Sequence, residues 1–279
     1  MRELVSSPIQ AVLHEYLFLL DERLPNMVEG LYLHGSLALN AYVEGSSDID
    51  FLTVIKRRLT KNEMNMVAEI HNQFAKKYPT PQLDGVYILW DDIGKEYSAD
   101  QSNIYYNDGV LSYGPYFNFN PITWWTLKTN GIKVRGPETA LLKLDVSPHQ
   151  ITTYVINNMN SYWTNWVRRN KDSLKELLDL ETKEIEFEIE WSVLGLLRQY
   201  YTLKEKDIIS KLGAGEYALR HVPEKWHQII EEAINIRSGK QERFYDSKEE
   251  QIMSAITFSE EIIRFSNQHF HNEQLEVSK

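Results

Sequence analysis

The chain of 279 residues contains no cysteine. Disulfide bonds, thiolate nucleophiles and cysteine-ligated zinc sites are therefore excluded. No apolar run approaches the ~20 residues of a membrane-spanning helix, and the first ten residues lack the apolar stretch of a signal peptide. We therefore expect a cytoplasmic protein without a membrane partner.

The pattern GxxxxGK[ST] is also missing, which excludes a Walker-type nucleotide-binding loop. The chain has fewer basic than acidic residues, 30 against 40, and its net charge is −10. Nucleic-acid-binding proteins are usually basic, so the balance argues against a nucleic-acid partner and favours a small cationic substrate. With 42% apolar and 25% charged residues, the composition is that of a globular protein of one large or two ordinary domains.

The most informative segment runs from Leu31 to Val54 and reads LYLHGSLALNAYVEGSSDIDFLTV. An apolar entry is followed by a Gly35-Ser36 turn, a helical run, a polar loop and then an alternation of acidic and apolar residues. A glycine at the start of a helix allows close backbone approach, and the helix N–H groups with a serine hydroxyl favour an anion. We therefore predict a phosphate site at Gly35 and Ser36.

Asp48 and Asp50 alternate with Ile49 and Phe51. Alternate residues of a strand share one face, so the two carboxylates are expected to point the same way with Cα atoms about 6.6 Å apart, while Ile49 and Phe51 face the core. Adjacent carboxylates repel each other unless a cation lies between them, and a divalent metal that also binds substrate phosphates suits oxygen ligands. The alternative is a solvated edge strand, which the apolar flanks disfavour.

The spacing of GS and SDID resembles the signature of the nucleotidyltransferase superfamily that includes DNA polymerase beta. It is more closely similar to the aminoglycoside adenylyltransferases that modify streptomycin and spectinomycin. The resemblance implies ATP as substrate, two Mg²⁺ ions held by Asp48 and Asp50, and ATP binding by Gly35, Ser36 and Ser47. Asn40 stands where the family usually has a second glycine, and asparagine tolerates the left-handed backbone better than most residues.

The fold class expected is α+β, with an N-terminal nucleotidyltransferase domain of mixed sheet and helices followed by an all-helical bundle. We place the domains at residues 1–145 and 146–279, because nearly everything after Glu138 is helical and poor in glycine. In the first domain we predict helices at 8–25, 61–77 and 121–130, and a strand at 82–90 that runs parallel or antiparallel beside the Asp48 strand. For residues 100–120, which are rich in Tyr, Asn and Gly, we predict loops, with a hairpin as the alternative. In the second we predict helices at 138–170, 172–182, 186–205, 224–238 and 246–271.

Asp84 is the candidate for a third catalytic carboxylate. It opens the apolar strand LDGVYILW, where a carboxylate without a partner is unfavourable, and Gly85 leaves room for close packing. In the resembling enzymes this position carries a glutamate taken as the catalytic base, and aspartate is one methylene shorter. Asp84 is therefore expected to act as base, metal ligand or both, and the alternative is a turn residue before a strand.

Three cations of the helical half are candidates for ATP binding. Arg198 and Lys211 match the arginine and lysine with which the resembling enzymes bind ATP phosphates. The alternatives are a structural ion pair for Arg198 and a solvated surface residue for Lys211. Arg237 stands where the family has a tyrosine. The helical domain is accordingly expected to close over the ATP and acceptor cleft.

Glu188, within EIEFEIEW, aligns with a drug-binding acid of the resembling enzymes. Carboxylates there would pair with ammonium groups of an aminoglycoside. The competing explanation is favourable charge near a helix N-terminus. We therefore expect a metal-dependent transferase that moves AMP to an aminoglycoside hydroxyl, with a monomer favoured; transfer to another small molecule or protein side chain, and nucleotide binding without turnover, remain open.

Overall fold

The computed structural model describes residues 6–96, 98–100 and 102–276. The chain divides into two compact units, one ending at Val146 and the other beginning at Ser147. Across the described ranges, no helix is both long and apolar enough to cross a membrane.

The first unit is built on a six-stranded mixed sheet. Its strands are β1 (Val28–Leu33), β2 (Ile49–Ile55), β3 (Leu83–Ile88), β4 (Asn103–Asn107), β5 (Val110–Gly114) and β6 (Ile132–Arg135). They are ordered β5-β4-β3-β2-β1-β6. The β2–β3 pair is parallel and the other pairs are antiparallel. The hairpin given as the alternative for 100–120 is the β4–β5 pair, joined at Asp108-Gly109 with both residues at positive φ.

The helices of this unit are α1 (Ser7–Arg23), α2 (Gly35–Ala38), α3 (Lys61–Lys77) and α4 (Pro121–Asn130). The predicted bounds of α3 and α4 are confirmed at both ends. A capping box defines the start of α3, since Thr60 and Glu63 each bind the backbone N–H of the other. Asn120 caps α4 by accepting hydrogen bonds from two backbone N–H groups.

One face of the sheet packs against α1 and α3. Ile49 and Phe51 are fully buried there, as the alternation predicted, and share a core with Tyr16 of α1 and Phe74 of α3. Because successive strand residues point to opposite faces, Asp50 lies on the other face of the sheet.

The second unit is all-helical. It contains α5 (Pro148–Asn158), a π-helical turn (Met159–Trp163), α6 (Thr164–Asp172), α7 (Leu174–Leu178), α8 (Thr182–Glu205), α9 (Lys211–Ala218), α10 (His227–Arg237) and α11 (Lys248–Glu276). Helix α8 packs against α5, α9, α10 and α11 and is the centre of the bundle. The predicted α+β class is thus confirmed.

Several predicted helix bounds in the second unit are wrong. The helix expected over 172–182 is only Leu174–Leu178, and the one expected over 246–271 continues to Glu276. The helix expected over 138–170 begins at Pro148, because Ser147 forms a capping box with Gln150, and it is interrupted by the π-helical turn. The helix expected to start at 186 begins at Thr182, since Glu181 and Glu184 form its capping box. The acids of EIEFEIEW therefore lie further inside the helix than predicted.

Candidate active site

Gly35 and Asp50 are in close contact. Gly35 has φ +59°, and a Cβ at this position would lie 1.8 Å from Oδ2 of Asp50. Only glycine combines this left-handed backbone with so close an approach. The N–H of His34 donates to the Asp50 carbonyl at 3.1 Å, which fixes the turn against the start of β2.

The hydroxyl of Ser36 is a polar group ready for a ligand. Its Oγ is buried and, among the described residues, has no hydrogen-bond partner. Buried hydroxyls are normally bonded, so a phosphate oxygen at this turn would satisfy the group. Ser47 differs, since its Oγ accepts from the N–H of Val43 at 3.1 Å and so shapes the polar loop. Asn40 has φ +50°, a left-handed backbone that asparagine tolerates better than most residues.

Asp84 lies directly opposite Asp50. The sequence left the orientation of the β2 and β3 strands open; they are parallel, with Asp50 paired with Asp84 and Phe51 with Gly85. Neighbouring strands are about 4.8 Å apart, so the two carboxylates lie side by side on one face of the sheet, near the start of their strands. A Cβ at Gly85 would lie 2.0 Å from the Phe51 carbonyl oxygen, which explains the glycine beside Asp84.

The surroundings of Asp84 suit a proton acceptor. Asn107 donates from Nδ2 to Asp84 Oδ2 at 2.7 Å, while the buried Oδ1 has no partner among the described residues. Burial raises the pKa of Asp84 to about 7; Asp50, Asp48 and Asp108 add to the rise, and the Asn107 hydrogen bond opposes it. A carboxylate whose pKa lies near neutrality is well matched to general-base catalysis.

The carboxylates near the start of β2 and β3 are suitable ligands for Mg²⁺. Asp48 is exposed immediately before β2, and its negative charge contributes to the raised pKa of Asp84. In the ranges that the structure describes, no three His, Cys, Asp or Glu side chains are grouped closely enough to form a ready-made metal cage. Mg²⁺ is typically held by one or two carboxylates together with phosphates and water, so Asp50 and Asp84, with Asp48 beside them, provide what this ion needs.

The helical unit contains a second charged cluster, centred on Glu190. Lys211 Nζ lies 3.1 Å and Arg237 Nη1 3.5 Å from Glu190 Oε1. Burial lowers the pKa of Lys211; Glu190 raises it, and Arg237 and Arg198 lower it further. Three cations thus interact around one carboxylate, and the excess of positive charge favours an anion.

The sequence-predicted residues Arg198, Lys211 and Arg237 are thereby brought together. Lys211 is the first residue of α9, whose N-cap Ser210 accepts from Gly213 N–H. Arg198 donates from Nε to the Ile209 carbonyl at 3.0 Å, which ties α8 to the segment before α9. Lys211 is not a solvated surface residue, since its side chain is only 23% exposed.

The three glutamates of EIEFEIEW have three different partners because they lie on a helix. Glu186 binds Arg243 at 2.9 Å, Glu188 accepts from Trp166 Nε1 at 3.2 Å, and Glu190 binds Lys211. Glu188 is the seventh residue of α8, beyond the first turn in which charge at a helix N-terminus is favourable.

Two known domain families match this chain. The nucleotidyltransferase domain matches residues 17–97 and the aminoglycoside adenylyltransferase C-terminal domain matches residues 167–261. The chain thus combines a nucleotidyltransferase domain with the C-terminal domain of the aminoglycoside adenylyltransferases. It is an enzyme of the nucleotidyltransferase type, and the resemblance drawn from the sequence is confirmed.

Among solved structures, the chain is similar to the spectinomycin adenyltransferase AAD(9) from Enterococcus faecialis, whose structure contains ATP and spectinomycin. The match has a TM-score of 0.64 at 17% identity and covers 91% of this chain and 98% of that one. At this identity the likeness establishes the shared fold. No curated protein matches this chain by sequence.

Two residues of these clusters were missed by the sequence reasoning. Asn107 lies in a segment whose Tyr-, Asn- and Gly-rich composition indicates loops, although the Asp108-Gly109 pair is a hairpin signal and places Asn107 at a strand end. Glu190 is one of several acids near a predicted helix N-terminus, where such charge needs no functional explanation. The signal that could have found it is its spacing of eight residues from Arg198, which puts both on neighbouring faces of one helix.

Proposed function

We propose that this enzyme transfers AMP from ATP to a hydroxyl group of an aminoglycoside, in a Mg²⁺-dependent reaction that releases pyrophosphate. The observation that carries the proposal is the pairing of Asp50 with Asp84 across β2 and β3, beside the Gly35 turn. Carboxylates so placed are unfavourable without a cation, and the turn provides an unsatisfied hydroxyl for a phosphate.

Asp48 and Asp50 would hold two Mg²⁺ ions, with Asp84 as a further ligand. When bound, the metal ions neutralise the triphosphate and make its α-phosphorus more electrophilic. The Ser36 hydroxyl donates to a phosphate oxygen, and Gly35 lets the backbone approach the phosphates closely. Ser47 supports this site through the loop that it anchors.

Asp84 accepts the proton of the acceptor hydroxyl at Oδ1, while Asn107 holds the other oxygen. The acceptor oxygen then forms a bond to the α-phosphorus, and the bond from that phosphorus to the bridging oxygen of the β-phosphate breaks. The electron pair of the broken bond leaves with pyrophosphate. Proton removal of this kind contributes about 10²–10⁴-fold to the rate.

The cations of the helical unit offset the charge of the leaving group. Glu190 positions Lys211 and Arg237 through ion pairs, and the charge of Arg198 interacts with Lys211. Preorganised cations stabilise developing negative charge better than water does, because they need not reorient during the reaction.

An aminoglycoside acceptor is supported by three features. The matched C-terminal family is that of aminoglycoside adenylyltransferases, the similar structure contains spectinomycin, and the net charge of −10 suits a cationic substrate better than a nucleic acid. Glu188 is proposed to bind an ammonium group of the acceptor. The use of ATP fits a cytoplasmic location.

Pyrophosphate release with a panel of aminoglycosides tests the proposal. We expect release that needs ATP, Mg²⁺ and one particular drug, with spectinomycin the first candidate. Release that occurs only with a different class of acceptor would contradict the aminoglycoside assignment. No release with any acceptor, together with retained ATP binding, would indicate a nucleotide-binding protein without turnover.

A further inference from the structure

His34 is a buried histidine that directly follows β1 and precedes the Gly35-Ser36 turn. Its side chain is 6% exposed, and its Nε2 atom is buried without a hydrogen-bond partner among the described residues. Buried polar atoms are normally hydrogen-bonded, because their desolvation is otherwise uncompensated. His34 therefore presents a hydrogen-bonding group that the described part of the chain leaves unused.

The backbone places His34 directly opposite Asp50. The strands β1 and β2 are antiparallel with Leu33 paired with Phe51, so the next residue along β1 is opposite the residue before Phe51. His34 has an extended backbone, with φ −130° and ψ −152°, and its N–H donates to the Asp50 carbonyl at 3.1 Å. The pairing therefore continues one residue past the end of β1.

The imidazole of His34 and the carboxylate of Asp50 are neighbours on one face of the sheet. Residues directly opposite each other on antiparallel strands have Cβ atoms about 4.5–5.5 Å apart and point to the same face. Burial lowers the pKa of His34 and the negative charge of Asp50 opposes that fall, so the two side chains interact. Because Asp84 pairs with Asp50 from the other side, Asp50 lies between His34 and Asp84.

A packing role alone does not require a histidine at this position. An apolar side chain would fill the same buried space without an unsatisfied nitrogen. Tyr32 lies two residues earlier on the same face and shows how the fold accommodates a polar group there, since its hydroxyl donates to the Pro137 carbonyl at 3.0 Å. Nε2 of His34 has no such partner among the described residues.

The position of His34 suits a residue that orients a metal ligand. Carboxylates that bind a metal ion are usually held by hydrogen-bond donors next to them. A neutral histidine has one N–H group, which its Nε2 tautomer presents at the outer end of the ring. Asp50 is a proposed Mg²⁺ ligand, and His34 is its polar neighbour across the strand pair.

We propose that His34 is a positioning residue, which donates from Nε2 to the carboxylate of Asp50 when that carboxylate binds Mg²⁺. It thereby strengthens the binding of the ion without contacting ion or substrate itself. This inference rests on the proposed function, because it needs Asp50 as a metal ligand. Removal of such a donor typically weakens metal binding about 10–100-fold.

Binding of Mn²⁺, a paramagnetic substitute for Mg²⁺, tests the inference without turnover. It is measured by electron paramagnetic resonance in the presence of α,β-methylene-ATP, which has no cleavable bond at the α-phosphorus. His34→Phe fills the space without a donor and should weaken Mn²⁺ binding at least tenfold. His34→Gln keeps an N–H donor near the position of Nε2 and should retain most of the affinity.

A further variant separates the hydrogen bond from packing. His34→Asn is also polar but places its amide near the position of Nδ1, so it should bind Mn²⁺ as weakly as His34→Phe. Added to Asp50→Asn, His34→Phe should weaken Mn²⁺ binding little further, because His34 acts through Asp50. Additive losses in the double variant would overturn the proposed coupling, as would equal affinities of His34→Asn and His34→Gln.

Tyr32→Phe is the matched control, because it removes one hydrogen bond from the same strand and face but not beside Asp50. It should leave the affinity for Mn²⁺ unchanged. Unchanged Mn²⁺ affinity in His34→Phe, with affinity lost in Asp50→Asn and normal AMP transfer by wild type, would overturn the role of His34 and leave the proposed function standing. Mn²⁺ binding that depends on His34 and Asp50, in a wild-type protein that transfers no AMP, would support the role and overturn the proposed function.

Discussion

Lys211 Nζ lies 3.1 Å from Oε1 of Glu190, a carboxylate only 7% exposed. The lysine proposed to receive the ATP phosphates thus already has a counter-charge in its own unit, which it shares with Arg237. Glu190 positions the two cations and at the same time competes with any anion for them. The nucleotide must therefore replace or outweigh an existing ion pair.

Replacing Glu190 by glutamine should strengthen the binding of Mg²⁺–ATP and of pyrophosphate about tenfold, or ~1.4 kcal/mol, because it removes a competing anion. Without an anion the variant should melt at a lower temperature than wild type, since two partly buried cations lose their counter-charge. Added pyrophosphate should reverse that loss. Calorimetry and thermal denaturation measure both effects.

Glu186→Gln provides the control for this variant. Glu186 is on the same helix and is also an ion-pair residue, but its partner is Arg243. It should leave the affinity for ATP unchanged. Equal or weaker ATP binding in Glu190→Gln would show that Glu190 does not compete for these cations.

Gly35→Ala should abolish turnover. The added methyl group would lie 1.8 Å from Asp50 Oδ2 on a residue with φ +59°, so either the carboxylate or the turn must move. Gly45→Ala is the control, since Gly45 also has positive φ but a Cβ there meets nothing within 4 Å. Steady-state kinetics should show near-normal kcat for Gly45→Ala; comparable kcat in both variants would contradict a requirement for the contact.

Asp84→Asn should lower kcat about 10²–10⁴-fold with little change in the affinity for ATP, because it removes the proposed proton acceptor. Asp84→Glu should remain active, since it restores the residue usual in the resembling enzymes. Rapid-quench kinetics of AMP transfer distinguish the chemical step from product release. An active Asn variant beside an inactive Glu variant would assign the base to another residue.

The raised pKa of Asp84 also makes a stability prediction for the metal-free protein. Because this pKa rises from its ordinary 3.8 to about 7 on folding, the contribution of Asp84 to stability is full below pH 3.8 and is lost as the pH rises to 7. The melting temperature of Asp84→Asn relative to wild type should therefore be higher at pH 8 than at pH 4. Saturating Mg²⁺ should narrow the difference at pH 8.

Differential scanning calorimetry in chelator and in Mg²⁺, at constant ionic strength, makes this comparison. A difference between variant and wild type that is independent of pH would mean that Asp84 ionises as freely in the folded protein as in the unfolded one.

Local signals in the sequence predicted the first unit well. The helical spacing from Lys61 to Lys77 predicted α3, and the alternation from Asp48 to Phe51 predicted which side chains the core would bury. These features depend on residues close together in the chain. The expected closure of the helical domain over ATP and the acceptor does not follow from such local signals and stays a prediction.

Features that depend on distant residues could not be predicted in the same way. The pairing of Asp50 with Asp84 required the parallel orientation of β2 and β3, which the sequence left open. The acids of EIEFEIEW were expected near a helix N-terminus, but the capping box at Glu181 starts α8 earlier, so they lie further inside the helix. The rings of Trp166 and Trp191 lie 6.3 Å apart although 25 positions of the chain separate them, and no local pattern signals that contact.

The central claim is AMP transfer by a site that depends on Asp48 and Asp50, and the fate of isotopic label tests it most directly. The enzyme is incubated with Mg²⁺, spectinomycin and ATP labelled at either the α- or the γ-phosphorus, beside Asp48→Asn and Asp50→Asn. We expect the α-label on the drug and the γ-label in pyrophosphate, with at least 10²-fold less transfer by either folded variant. The γ-label on the drug, or α-label transfer undiminished in Asp50→Asn, would contradict the account.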